Sequence, residues 1–348
     1  MIIPFFIPHA GCPHRCVFCD QKSITGQSRA VDPSTIPRTI NEHLRSMPAH
    51  ERVQAAFYGG SFTALPVGTQ TAYLEAVRPF IDSGMIESIR LSTRPDAVTP
   101  DILALLERHR VRTVELGVQS MNDQVLALSS RGHTAAGTVN AVTLLRDHGF
   151  DIGLQLMPGL PGDTATTFRE TVTRVIALRP LFVRVYPAVV IRGTPLEDLY
   201  RGGSYRPLSL GEAVELCREA FERFDRSGID VIRTGLQPTD ALTAGDAIVA
   251  GPYHPAFGQL VASSRFLEKM RTALRAAPRH AGPVIVRVHD GDLSTAIGQK
   301  RTNVRALARE FGLRDIRILP DPQIPHGSVE VNFLQTEWPE LWYPVYGE

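Results

Sequence analysis

Three thiols stand in one short segment, GCPHRCVFC, where Cys12, Cys16 and Cys19 follow the spacing C-x3-C-x2-C. Soft thiolates at this spacing suit an iron–sulfur cluster or a zinc ion. A structural zinc site takes four protein ligands, and His14 or His9 could complete a Cys3His set. Three thiolates on a four-iron cluster instead leave one iron without a protein ligand, and an open position is what a metal centre needs in order to do chemistry. The spacing alone leaves both readings open. Three of the four cysteines fall within eight residues, which is no disulfide framework for a chain of 348 residues. Clustered thiols in a reducing compartment signal metal or redox chemistry, so a cytoplasmic protein is expected. Cys217, in the helical pattern EAVELCREAF, is expected in the core. No pair of side chains announces itself as general acid and base, and no catalytic side chain is assigned.

The elements that must carry this loop are read from hydrophobic periodicity. Six short β-rich runs alternate with longer helical patterns: Ile2 to Ile7, Val53 to Tyr58, Ser88 to Ser92, Thr113 to Val118, Asp151 to Met157, and Phe182 to Tyr186. Successive βα units imply an α/β fold with a parallel sheet. Such a sheet is either doubly wound and open or a partial barrel, and both place ligands at the C-terminal strand ends. The cysteines follow the first run, Gly59 and Gly60 the second, Thr93 and Arg94 the third, and Gln119 and Ser120 the fourth; Pro158 and Gly159 follow the fifth and Pro187 the sixth. One composite site is expected there.

Residues 1–200 are read as this core, 201–280 as an extension that completes it, and 281–348 as a small α+β module. With 43% apolar and 21% charged residues, a net charge of +1 and no apolar run of membrane length, no membrane partner is expected. The opening residues lack the basic start of a signal peptide and read as a buried strand.

The cysteine loop resembles the radical S-adenosylmethionine (SAM) signature, with Phe18 in the aromatic place before the last cysteine. The resemblance implies a partial (β/α)6 TIM-type barrel and a 4Fe-4S cluster on Cys12, Cys16 and Cys19, with SAM on the open iron. It also implies reductive cleavage of SAM to a 5′-deoxyadenosyl radical, fed by a low-potential donor such as ferredoxin or flavodoxin. Tyr58-Gly59-Gly60-Ser61-Phe62 resembles the glycine-rich segment that meets the methionine amino group of SAM, which places Gly59, Gly60 and Ser61 in the cofactor site. Gln119, Arg131 and Gln155 are carried over as SAM contacts in the same way, and Phe18 joins them. The third-strand position that is often acidic in relatives is Ser92 here, and Met157 and Leu160 fall where the adenine would pack.

The segments FYGGSFTALP, RLSTRPDAV, VELGVQSMND and LMPGLPGDT together resemble the radical SAM domain of the elongator catalytic-subunit family, whose members modify the wobble uridine of tRNA. That family's acetyltransferase domain has no expected counterpart in these 348 residues, so its acetyl-dependent reaction is not carried over.

Further along, DLSTAIGQKRTNVRALAREFGLRDIRIL resembles a KH RNA-binding element, in which a GXXG turn between two helices clamps the nucleic-acid backbone. Gly298-Gln299-Lys300-Arg301 keeps the first glycine only. On the following helix Val304, Leu307, Ala308 and Phe311 fall on a core face, while Arg301, Arg305 and Arg309 recur every four residues. A basic stripe beside the turn would hold phosphates without reading sequence. The expected protein is therefore a radical SAM enzyme, an RNA-modifying transferase, with tRNA as partner. Two alternatives stand beside it: a radical SAM enzyme for a small molecule or peptide, and a zinc-stabilised RNA-binding protein. The sequence does not specify an oligomeric state.

Overall fold

Alternating apolar positions build six consecutive parallel strands: β1 (Ile2–Phe6), β2 (Gln54–Tyr58), β3 (Ser88–Thr93), β4 (Val111–Gln119), β5 (Asp151–Leu156) and β6 (Phe182–Val185). This computed structural model describes residues 1–27, 29–46, 52–237, 239, 242, 247–277 and 283–334. After β6 come β7 (Val190–Ile191), β8 (Asp230–Thr234) and β9 (Ile248–Ala250). β8 joins β6 in parallel as a seventh strand, one more than the six runs expected. β7 and β9 form a separate antiparallel pair.

The sheet order, β1-β2-β3-β4-β5-β6-β8, decides between the two architectures that periodicity left open. A doubly wound sheet reverses its strand order at a switch point, whereas a barrel adds strands in chain order. This sheet is the partial-barrel type, and it curls. In a flat sheet β2 and β6 would lie roughly 19 Å apart, yet a side chain at the end of β2 bonds one on β6: Arg184 Nη2 donates to Tyr58 Oη at 3.1 Å.

Helices cover the outer face, among them Val67–Asp82, Pro100–Arg108, Ala135–Asp147, Ala165–Ala177 and Leu210–Arg226. Two begin with capping boxes, Thr164 with Thr167 and Ser209 with Glu212, which satisfy N–H groups the first helical turn leaves open. Phe57 points outward to stack on Phe62 and Tyr73, so its neighbours Ala56 and Tyr58 face the inner side. Cys217 is fully buried, as its helical pattern implied.

The chain divides into two compact units, Met1–Pro255 and a second beginning at Ala256. Helix Phe257–Ala276, which the sequence reading had placed in the extension, supplies Phe266, Met270 and Leu274 to the second unit's own core. There it packs with β10 (Val284–Val288), the helices Leu293–Ile297 and Thr302–Phe311, and β11 (Ile316–Pro320). β12 (Glu330–Phe333) completes the sheet in the order β11-β10-β12, with β10 parallel to β11 and antiparallel to β12. Residues 281, 282 and 335–348 of the expected module lie outside the described residues. No helix among the described residues is long and apolar enough to cross a membrane.

Candidate active site

The cysteine loop leaves β1 and is pinned at both ends. His9 O accepts from Cys12 N at 3.2 Å, and Cys16 O accepts from Cys19 N at 3.1 Å, so two tight turns separate the thiols. Between them Val17 exchanges backbone bonds with Ser129 and Leu196 at 3.2 and 2.9 Å. Cys16, Val17 and Phe18 are buried in an apolar cluster with Val125, Leu160, Val190 and Leu196, and Met157 packs at its edge. Phe18 and Leu160 thus anchor the loop.

Burial pushes the Cys19 thiol up to about 12, helped by the charges of Cys16 and Cys12. Burial also raises Cys12, while Arg94 and Arg131 pull it down. Two guanidinium groups therefore face the thiols. Among the described residues no three His, Cys, Asp or Glu side chains converge on a single-ion position. His9 accepts a bond from Gln21 N at 3.0 Å, and His14 packs against the backbone of Gly132.

Arg131 joins the loop to the later strands. Its Nη1 donates to Cys16 Sγ at 3.1 Å, its Nη2 donates to Gly117 O on β4, and its own carbonyl accepts from Arg94 Nη2. Gln119 lies two residues beyond Gly117 with φ of +69°, in the left-handed region, where β4 slips register against β5. A non-glycine residue held there costs on the order of 1–3 kcal/mol, and such residues gather at ligand sites. Gln155 Nε2 reaches Gln119 Oε1 at 3.4 Å. Cys16, Arg131, Gln119 and Gln155 are thus brought together at the strand ends. Arg94 is a member that the sequence reading noted by position only; it is buried and grips Asp96 through two bonds of 3.0 Å. Arg131 Nε and Arg94 Nη1 are buried without a protein partner, so both have a donor left for a bound anion. His133, beside them, is pushed down to about 4 by burial and by Arg131, and stays neutral at ordinary pH.

The glycine-rich segment does a second job. A Cβ on Gly60 would meet Ala10 O at 2.3 Å, and one on Gly11 would meet Ser61 O at 2.3 Å, so both glycines let the cysteine loop lie directly on the end of β2. Gly60 N donates to Gln21 Oε1 at 2.7 Å, while Gly59 takes left-handed backbone at φ +76°. Ser61 is fully buried and its hydroxyl meets Thr93 Oγ1 at 3.1 Å, so its side chain braces β2 against β3 rather than facing the open strand ends.

Below the thiols the inner face holds a charged cluster that the sequence reading missed. Arg184 grips Glu115 in a fork, Nε to Oε2 at 2.6 Å and Nη2 to Oε1 at 3.2 Å. Tyr58 Oη donates to Glu115 Oε1 at 3.1 Å, and Arg90 Nη1 lies 3.6 Å from the same oxygen. Arg184 Nη1 reaches Tyr186 Oη at 3.4 Å. Burial and the Glu115 charge push Tyr58 up to about 12. The available signal was an ionisable residue inside each of three apolar strand runs, SIRLST, TVELGV and FVRVY.

In the second unit Gly298 leads into a tight turn at φ +76°, where a Cβ would meet Thr302 Oγ1 at 2.7 Å. Lys300 and Arg301 follow with φ of +49° and +60°, so Arg301 takes the left-handed backbone that a last glycine would adopt freely. Asn303 locks the turn by donating to Ser263 O at 2.9 Å and Ala296 O at 3.0 Å. Lys300, Arg301, Arg305 and Arg309 are exposed, and none makes an ion pair among the described residues, whereas Glu310 on the same helix is held by Arg271 and Arg275 at 2.7 and 3.0 Å.

Residues 6–175 match the family model described as the radical SAM superfamily, and residues 180–268 match that of the radical SAM C-terminal domain. The tRNA uridine(34) acetyltransferase of Methanocaldococcus infernus is 26% identical over 61% of this chain and 47% of its own length. Human Elongator complex protein 3 is 28% identical over 60% of this chain and 46% of its own. The chain thus spans about half the length of these curated relatives. The solved structure of M. infernus Elp3 lacking residues 1–46 superposes with a TM-score of 0.59, at 22% identity, over 78% of this chain and 63% of that one, which supports the shared fold.

Proposed function

Because this chain belongs to the radical SAM superfamily through residues 6–175, we propose that it is an RNA-modifying enzyme that holds a 4Fe-4S cluster on Cys12, Cys16 and Cys19, binds SAM, and takes tRNA as substrate. The observation that carries this reading is the link from thiol to strand ends: Arg131 bonds Cys16 at 3.1 Å and β4 at Gly117 while keeping its Nε free. The residues fit the cofactors. Three soft thiolates supply the cluster ligands, and the guanidinium groups of Arg94 and Arg131 offset the negative charge that thiolates and sulfides would gather there. Bound there, the cluster and SAM would supply a 5′-deoxyadenosyl radical. Gln119, Gln155 and Arg131 would orient SAM, with backbone at Gly59 and Gly60 toward its methionine end. Phe18 and Leu160 keep the loop packed and water away from its inner side.

The tRNA part rests on the relatives' printed activities and on the second unit's chemistry. Gly298, Lys300, Arg301, Arg305 and Arg309 would meet the phosphate backbone as a KH-like element, with Arg301 replacing a close glycine contact by a charge.

Anaerobic reconstitution with iron and sulfide tests the first part. A reducible cluster whose paramagnetic resonance spectrum changes on adding SAM, together with SAM-dependent 5′-deoxyadenosine, is expected; stoichiometric zinc with neither would overturn the enzyme reading. For the second part, tRNA binding is measured against salt in the parent and in Lys300→Ala/Arg301→Ala/Arg305→Ala. Equal, weak binding by both removes the RNA assignment. Nucleoside mass spectrometry of tRNA from a deletion strain would then identify the modified base.

A further inference from the structure

We propose that the charged cluster on the inner face of the sheet is a binding site for an anionic group, carboxylate or phosphate, of the molecule that reacts at the strand ends, received by Arg90, Arg184 and Tyr186. The inference rests on the preceding reading only in taking the inner face as the place of reaction.

Orientation follows from strand alternation. Phe57 packs outward on Tyr73, so Tyr58 faces in, and it bonds Glu115 on β4 and Arg184 on β6 across the intervening strands. Arg90 stands over the Phe182 ring at 5.2 Å and 3.6 Å from Glu115, on the same face. Arg233, the register partner of Arg184 on β8, is exposed and donates to Gln237 Oε1 at 2.6 Å, outside the buried cluster. Within the buried cluster Glu115 is the sole carboxylate against two guanidinium groups, Arg90 and Arg184. An uncompensated buried cation is costly, and an incoming anion would relieve it.

Two observations indicate that the site is built to receive a ligand. Arg90 Nε is buried with no partner, a donor left over after Glu115 is satisfied. Arg184 meets Tyr186 at only 3.4 Å, so that hydroxyl is weakly held. Glycine at position 153 is what lets the Phe182 ring and Glu115 pack down on β5, since a Cβ there would meet the ring at 2.3 Å and Glu115 Cγ at 3.2 Å. The placement suits the chemistry. Glu115 lies two residues, about 7 Å, before Gly117 on β4, and Gly117 O is the acceptor that holds Arg131 against Cys16. An anionic group gripped by Arg90 would direct the rest of its molecule toward the thiols.

The experiment uses the reconstituted full chain, without reductant or SAM, titrated calorimetrically with succinate, with inorganic phosphate and with neutral succinamide. One of the two anions is expected to bind at a single site and succinamide not at all, and the anion that binds identifies the class. Arg90→Gln should weaken binding by about tenfold or more. Glu115→Gln should strengthen it, because the internal carboxylate no longer competes for the arginines. Lys300→Ala/Arg301→Ala/Arg305→Ala should leave it unchanged. If Arg90→Gln does not fold, Arg184→Lys serves instead: it keeps the charge, loses the fork and should also bind more weakly. Binding by neither anion, or equal binding in parent and Arg90→Gln, overturns the proposal. The same samples are assayed for SAM cleavage: cleavage without anion binding refutes only this inference, and anion binding without cluster or cleavage refutes only the function above.

Discussion

Two sets of arginines in this protein are treated in opposite ways. On the inner face of the barrel unit, Arg90 and Arg184 converge on one carboxylate and two tyrosine hydroxyls, largely out of water. In the second unit Lys300, Arg301, Arg305 and Arg309 are exposed and form no ion pair among the described residues. Inside, each charge carries a desolvation cost of several kcal/mol and persists only through its partners. Outside, high dielectric and salt screening make a charge nearly cost-free, and it stays available to a polyanion. The first set is therefore tied to the stability of the fold and the second should be almost independent of it.

That contrast is tested most severely at Glu115. Glu115→Ala leaves two buried guanidinium groups facing each other and is expected to cost about 3–5 kcal/mol in urea unfolding; a cost within that of an ordinary surface change would break the comparison. Next comes His133, whose folded state resists protonation. Because the unfolded chain takes up a proton near the ordinary value of 6.5 and the folded one only near 4, its contribution is full above pH 6.5 and is lost as pH falls toward 4. The difference amounts to about 3 kcal/mol, and His133→Gln should flatten that part of the acid limb. Gly153→Ala, which pushes a methyl into Phe182 and Glu115, is expected to cost about 2 kcal/mol. The smallest effect belongs to Lys300→Ala/Arg301→Ala/Arg305→Ala. Its unfolding free energy should stay within about 0.5 kcal/mol of the parent per residue changed, while the slope of log binding constant against log salt for tRNA falls by about 2–3. Loss of stability without loss of slope would merge the two classes of arginine.

Much of this arrangement was legible in the chain. The thiol spacing, the six runs and the residues at their ends follow from local order, and the structure brings Cys16, Arg131, Gln119 and Gln155 together there. The basic stripe followed from helical period and is exposed as that period implied. Ser61 and Gly60 were harder. Both read as cofactor contacts, and packing gives each a second role that no local pattern shows: Ser61 braces Thr93 and Gly60 clears a path for the cysteine loop. The seventh strand was obscured because DVIRT carries an arginine and is short, so its pattern barely rises above that of a loop.

What the sequence by itself determined is whatever depends on neighbours a few residues apart: three thiolates on one loop, a turn flanked by cations, strands that alternate with helices. What only the tertiary structure decided is which distant charges meet. Arg90, Glu115 and Arg184 each look like an ordinary polar position in a strand, and their partnership depends on how far the sheet curls. Tyr58 and Arg184 are 126 residues apart in the chain and bond at 3.1 Å. Local spacing is set by covalent geometry, but a contact across that span exists only once every intervening strand has paired in register, and no short-range pattern encodes it.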